Sequence, residues 1–289
     1  MKFSRLYQKR KLLDGYPDLE ELSSNWFSDR LEKKTNERNR VNKLLVYLNR
    51  LTNMELVKTI LVLGCGPRPE VIKILNEKGY EVTGIDPIIS YVKNATLYLE
   101  NQGVVKLGAA EYIPLPDDSQ NIVFFESVLE HVDSPLKSLQ EIYRILMPGG
   151  IAVISTTNRY RISLSGRNGE YNVPFFNWFP KIVKESFIFH HLHYEPTLAN
   201  YTPRPAVHWF SFADLCSLGR MAGFAQFYSI LDLVDKSDPS IVKSKLRTFM
   251  IEKIKYNPWL RALILTQFGS TIIMWKRMEN ATTHPDGWR

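Results

Sequence analysis

The sequence predicts an α/β fold built on a doubly wound, mostly parallel sheet. Three observations predict it. Short β-branched runs alternate with helix-like stretches through residues 58–156. The first run ends in a glycine turn, and the second ends in an acid. The composition, 289 residues of which 44% are hydrophobic and 23% charged, suits a folded core and excludes collagen-like, coiled-coil and largely disordered chains.

Residues 1–57 carry many charges, with Leu44, Leu45, Leu48 and Leu51 at helical spacing, and read as a helical N-terminal cap. Thr59 to Gly64 reads as a strand, Pro69 to Lys78 as a helix and Tyr80 to Asp86 as a second strand. A third apolar run, Asn121 to Phe125, precedes Ser134-Pro135, which suits an N-cap and first helical position. Leu136, Leu139, Ile142 and Leu146 then form one helical face, stopped by Pro148-Gly149-Gly150 before a buried strand from Ile151 to Ser155. From 160 to 210 the alternation breaks into an aromatic-rich insertion holding His190, His191, His193 and His208, which we expect to cover the active-site end as a lid. Ser211 to Met221 resumes as a capped helix, Phe224 to Val234 as a strand, Ile241 to Leu265 mainly as helix and Ser270 to Lys276 as a closing strand. The expected organisation is a cap over 1–57 and one domain over 58–289, with the lid inserted at 160–210.

Lys and Arg (37) exceed Asp and Glu (30), a mild basic excess that selects no partner by itself. Cys65 and Cys216 are the only cysteines, too few for a disulfide framework or a four-cysteine zinc site, so a reducing compartment is expected. The basic start has no apolar stretch behind it, and the neighbourhood from Trp259 to Trp275 is broken by Arg261, Gln267 and Gly269. The expected location is cytoplasmic, with membrane-peripheral contact through the lid left open.

Gly64-Cys65-Gly66 falls where the first strand turns into a helix, so bare backbone can approach a ligand beside the helix N-terminus. Asp86 ends the next strand 20 residues after Gly66, a place from which a carboxylate accepts hydrogen bonds from ribose hydroxyls. A nucleoside-containing ligand follows. Pro69 stands where a dinucleotide fingerprint wants its third glycine, which argues against NAD and FAD.

These segments resemble the class I S-adenosylmethionine-dependent methyltransferases. The resemblance is carried by Ile60 to Gly66, Gly84-Ile85-Asp86, Ala110-Glu111 with Pro114 to Ser119, Val128 to Val132 and Glu141 to Gly150, in the family's order. It implies a seven-stranded sheet and S-adenosylmethionine as cofactor. It also implies that the turn of Gly64, Cys65 and Gly66 passes the methionine moiety, that Asp86 with Pro87 holds the ribose, that Ala110 and Glu111 border the adenine, and that Glu126 lies in the cofactor pocket. The family usually has an acid where this chain has Val62, and an Asp where it has Ala109. Arg68 and Glu111 are the candidate replacements.

Methyl transfer needs an acceptor aligned with the donor, and a hydroxyl acceptor also needs its proton removed. His131 and then His208 are the candidate bases. Val128 to Val132 with Ser155 to Arg159 is similar to O-methyltransferases of polyprenylated catechols in quinone pathways, and Val173 to Lys181 resembles methyltransferases that accompany glycosyltransferases. A metal-binding Glu-x-x-Glu-His pattern found among the former has Ser127 at its first acid, so no metal is expected. The expected acceptor is a hydroxyl of a sugar, lipid-linked or phenolic small molecule, seated by lid aromatics with Lys181, Lys184 and Arg204 nearby. The alternatives are nucleic-acid methylation, which spread charge and the lack of an appended RNA-binding module disfavour, and a cofactor-binding accessory protein without catalysis. Oligomeric state is not legible.

Overall fold

The computed structural model describes residues 34–100, 102–161, 171, 173–190, 204–235, 238, 251, 253–268 and 271–277. The described chain opens with α1 (Lys34–Leu48), then β1 (Thr59–Leu63), α2 (Glu70–Asn76), β2 (Glu81–Asp86), α3 (Ile89–Leu99), β3 (Val104–Leu107) and β4 (Gln120–Glu126). After these come α4 (Pro135–Ile145), β5 (Leu146–Ser155), α5 (Lys181–His190), α6 (Phe212–Ala222), β6 (Gln226–Ser229), α7 (Ile230–Leu233), α8 (Pro258–Phe268) and β7 (Thr271–Trp275).

The seven strands form one sheet in the order β3-β2-β1-β4-β5-β7-β6. Pairing is parallel from β3 through β5, and β7 runs antiparallel to both β5 and β6. Strand alternation divides the core between the two faces. Ile60, Val62, Ile122 and Phe124 pack with Val41, Leu44 and Leu48 of α1 and Ile72 and Leu75 of α2. Leu61, Leu63, Val123 and Phe125 pack with Leu139 and Ile142 of α4 and Leu215 of α6. The order reverses at β1, with β2 on one side and β4 on the other, and crevices outside the strand ends at such a point are where ligands bind.

Several elements differ from expectation for local reasons. β3 had no signal, because this edge strand has no buried face: Val104 and Leu107 are both exposed. Helix α4 is capped by Ser134, whose Oγ accepts from Lys137 N, but ends at Ile145, and Pro148-Gly149-Gly150 lies within β5 with Gly149 left-handed at φ +82°. Gly149 N donates to Lys276 O, and Lys276 N donates to Gly150 O. The strand expected from Phe224 to Val234 ends at Ser229, where Asp232 and Ser229 form a capping box that starts α7. Of the helix expected over 241–265, residues 241–250 lie outside the described residues, as do Ser270 and the cap's residues 1–33. Within the lid, Tyr171, Phe176, Ile188, Ala206 and Trp209 form a small apolar cluster of their own. No helix among the described residues is long and apolar enough to cross a membrane.

Candidate functional site

The turn after β1 is left-handed at both glycines, with φ +71° at Gly64 and +67° at Gly66. Gly64 N and Cys65 N donate to Ile85 O at 2.7 and 3.2 Å, tying the turn to β2. A Cβ on Gly64 would lie 2.2 Å from Val128 Cγ2, whereas one on Gly66 would meet nothing within 4 Å. Gly64 is therefore glycine because the loop after β4 packs onto it, and Gly66 is the glycine that faces open space. Cys65 is half-buried beside Gly84. Burial, reinforced by the Asp86 charge, pushes its thiol well above the usual range, so it stays protonated at neutral pH.

Asp86 ends β2 and is only 4% exposed. Its Oδ2 accepts from Gly66 N and its Oδ1 from Ile88 N, both at 3.0 Å, so one carboxylate joins the glycine turn to the start of α3. Each oxygen retains a further lone pair with which to receive a ribose hydroxyl. Burial raises the Asp86 pKa, while the two backbone N–H groups and the Arg204 charge pull it partly back, leaving it at about 6. The residues present thus fit the ribose and the approach of the nucleoside.

The other expected cofactor residues have varied surroundings. Pro87 is exposed beside Asp86. Ala110 is buried in the core, and Ala109 bridges to exposed Tyr112. Glu111 Oε1 accepts from Asp133 N at 2.6 Å and Ser134 N at 3.1 Å, joining the segment after β3 to the N-terminus of α4. Arg68 is exposed. Glu126, at the end of β4, pairs with Arg40 of α1, which also pairs with Glu37. Val62 pairs in register with Phe124, and Glu126 lies two residues beyond it on the same face. A carboxylate therefore stands one strand away from the position of the missing acid. The sequence carried no signal for Arg40, because leucine spacing shows which face of α1 packs and not which charge reaches across 86 residues.

The two candidate bases are each held by a backbone carbonyl, which can only accept, so the facing ring nitrogen carries the proton. His131 Nδ1–H donates to Arg204 O at 2.8 Å, making Nε2 the basic nitrogen. His208 Nε2–H donates to Val132 O at 3.0 Å. Burial lowers the His208 pKa to about 4 against the opposing pull of that carbonyl, so it is neutral at pH 7. Glu130 is buried and accepts from Thr156 Oγ1 at 2.7 Å, so Glu126, Glu130 and His131 each face different partners. Ser127, at the end of β4, has φ +55°, a strained value for a serine. His190 Nδ1 donates to Ser186 O, and His191 and His193 lie outside the described residues. A cavity of about 320 Å³ opens beyond the end of β5, with Tyr160, Asn177, Lys184, His208 and Trp209 among its walls. Sequence reasoning had not singled out Asn177.

Among solved structures, phosphoethanolamine N-methyltransferase 2 of Haemonchus contortus, in complex with S-adenosyl-L-methionine, aligns at TM-score 0.48 and 14% identity over 82% of this chain and 53% of that one. The ubiquinone biosynthesis O-methyltransferase of Maricaulis maris is 32% identical over 104 residues, covering 35% of this chain and 41% of the relative. That of Psychrobacter arcticus is 30% identical over 108 residues, covering 35% and 42%. The match thus spans less than half the length of either relative. Residues 61–154 match the methyltransferase domain family, and they hold the glycine turn, Asp86 and the crevice at β1 and β4. Over that span the chain is similar to methyltransferase domains.

Proposed function

We propose that this protein transfers a methyl group from S-adenosylmethionine to a hydroxyl of a small molecule. The observation that carries the reading is the joint placement of Gly66 and Asp86: bare backbone facing open space, clamped by a buried carboxylate that retains accepting capacity. When bound, the cofactor supplies an activated methyl sulfonium. Asp86 would hold its ribose, and Glu126 with Arg40 would supply charge near its amino-acid end. His131 is the proposed base. Its loop carries Val128, which packs on the glycine turn, and the hydrogen bond from Nδ1 to Arg204 O fixes the ring with Nε2 as its basic nitrogen. His208 is the weaker candidate, since a pKa of about 4 makes it a poor proton acceptor at neutral pH. The O-methyltransferase names of the relatives favour a hydroxyl over an amine.

A second reading, a cofactor-binding protein without catalysis, draws on Val62, which is packed into the core where the family usually has an acid. The two separate in one experiment. Purified protein with methyl-labelled cofactor and a panel of catechols, phenols and sugars should label one acceptor class; cofactor binding with no label on any of them would favour the second reading.

A further inference from the structure

The cavity beyond β5 has walls that select for charge. Arg159, Lys181 and Lys184 line it, and among the described residues no carboxylate does. Arg159 already pairs with Asp214 at 3.2 Å and Lys181 with Glu185 at 3.5 Å. Lys184 is different. It is 5% exposed; its Nζ donates to Asn177 O at 3.1 Å and sits 4.0 Å over the Trp209 ring, with no ion-pair partner among the described residues. Burying an ammonium without a counter-charge is expensive. That burial, with the Arg159 and Lys181 charges opposing Glu185, lowers its pKa to about 8.

Asn177 braces the wall beside Lys184. It is 3% exposed, and its Nδ2 donates to Asn158 O at 2.8 Å, which fixes the orientation of the amide. Its Oδ1 is buried with no hydrogen-bond partner among the described residues. That oxygen is closed to water, so Asn177 shapes the wall beside Lys184 rather than contacting a ligand. The remaining walls include Tyr160, Trp178 and Phe179, and a volume of about 320 Å³ is at the small end for ligand pockets, enough for a substituted ring. The cavity also lies on the cofactor side of the sheet: Arg159 and Tyr160 follow the end of β5, and His208 bonds to Val132 after β4.

We infer that this cavity is the acceptor site and that it takes an aromatic monoanion, its carboxylate at Lys184. One uncompensated cation matches one negative charge, which favours a carboxylate over a doubly charged phosphate. The word acceptor rests on the proposed methyl transfer; the anion site does not.

The test is calorimetric titration of the full chain, without cofactor, using 3,4-dihydroxybenzoate and the uncharged probe catechol. The benzoate should bind at least tenfold more tightly than catechol. Lys184→Met should remove that preference, while Trp259→Ala, on exposed α8, should leave it intact. Equal affinity of wild-type protein for the two probes, no binding of either at millimolar concentration, or a preference that survives Lys184→Met in folded protein would overturn the proposal. The wild-type comparison decides even if the variant fails to fold. Benzoate binding by protein that takes up no S-adenosylmethionine would leave the anion site standing and bring down the methyl-transfer reading.

Discussion

Gly64 and Gly66 share a turn and a left-handed backbone, yet substitution should harm them differently. Gly66→Ala adds a side chain that meets no protein atom, so the variant should fold at a cost of about 1–2 kcal/mol and lose cofactor affinity by at least tenfold. Gly64→Ala collides with Val128, so its loss should appear as stability, with an overpacking cost of about 1–3 kcal/mol that Val128→Ala partly relieves. Thermal melts paired with cofactor titration would separate the two. Asp86 adds a pH dependence. Its folded pKa of about 6 lies above the ordinary 3.8, so the folded state holds this proton more tightly than the unfolded chain. Its contribution to stability therefore falls as pH rises from about 4 to about 6, by of order 3 kcal/mol, and is level above that. Cofactor affinity should move the other way, weakening as pH drops through about 6, because a protonated carboxyl accepts fewer ribose hydroxyls. Titration across pH 5 to 8 checks this, and a flat profile would remove Asp86 from the ribose site. At this scale the sequence showed Gly66 and Asp86 through their spacing around a strand, but not the partner of Gly64, since Val128 meets it only after three intervening strands.

Elements whose apolar residues face the core were readable, and those stabilised by other means were not. β1, β4 and α4 bury their apolar faces and stand close to where periodicity placed them. β3 is an exposed edge, and its pairing with β2 is a tertiary event with no period-2 trace. The run beginning at Phe224 looked like one long strand because apolar residues continue through Leu233, yet the Ser229–Asp232 capping box turned its second half into helix. The lid behaves as an element in its own right, since Phe176 is fully buried and touches Tyr171, Phe179 and Trp209 through ring contacts. Phe176→Ala should loosen that cluster by about 3–5 kcal/mol and speed proteolysis between Arg159 and His208, while the sheet's melting transition stays near the wild-type value. Mass spectrometry of limited digests reads the first effect, and calorimetry the second. A lid that is cut no faster in the variant would show that its order comes from elsewhere.

At the scale of the whole molecule, the sheet order and its reversal at β1 and β4 place the glycine turn, Asp86, Glu126 and the His131 loop along one edge, with the cavity beyond β5. Alternating strands and helices made that topology legible, whereas of the cavity only the lid aromatics, Lys181 and Lys184 were, because Arg159 and Asn177 join it from segments without periodicity and Arg204 is not among its walls. If chemistry follows this layout, His131→Ala should lower turnover by at least about a hundredfold with cofactor affinity unchanged. The central claim is more basic, namely that Gly66 and Asp86 form a nucleoside site. Titration calorimetry of S-adenosylmethionine into wild-type protein and Asp86→Ala tests it most directly. Saturable one-to-one binding to the wild type is expected, weakened by roughly 1.5–3 kcal/mol in the variant, the range for bonds to a charged group. Absence of binding at millimolar cofactor in well-folded wild-type protein, or equal affinity in a folded Asp86→Ala variant, would contradict it.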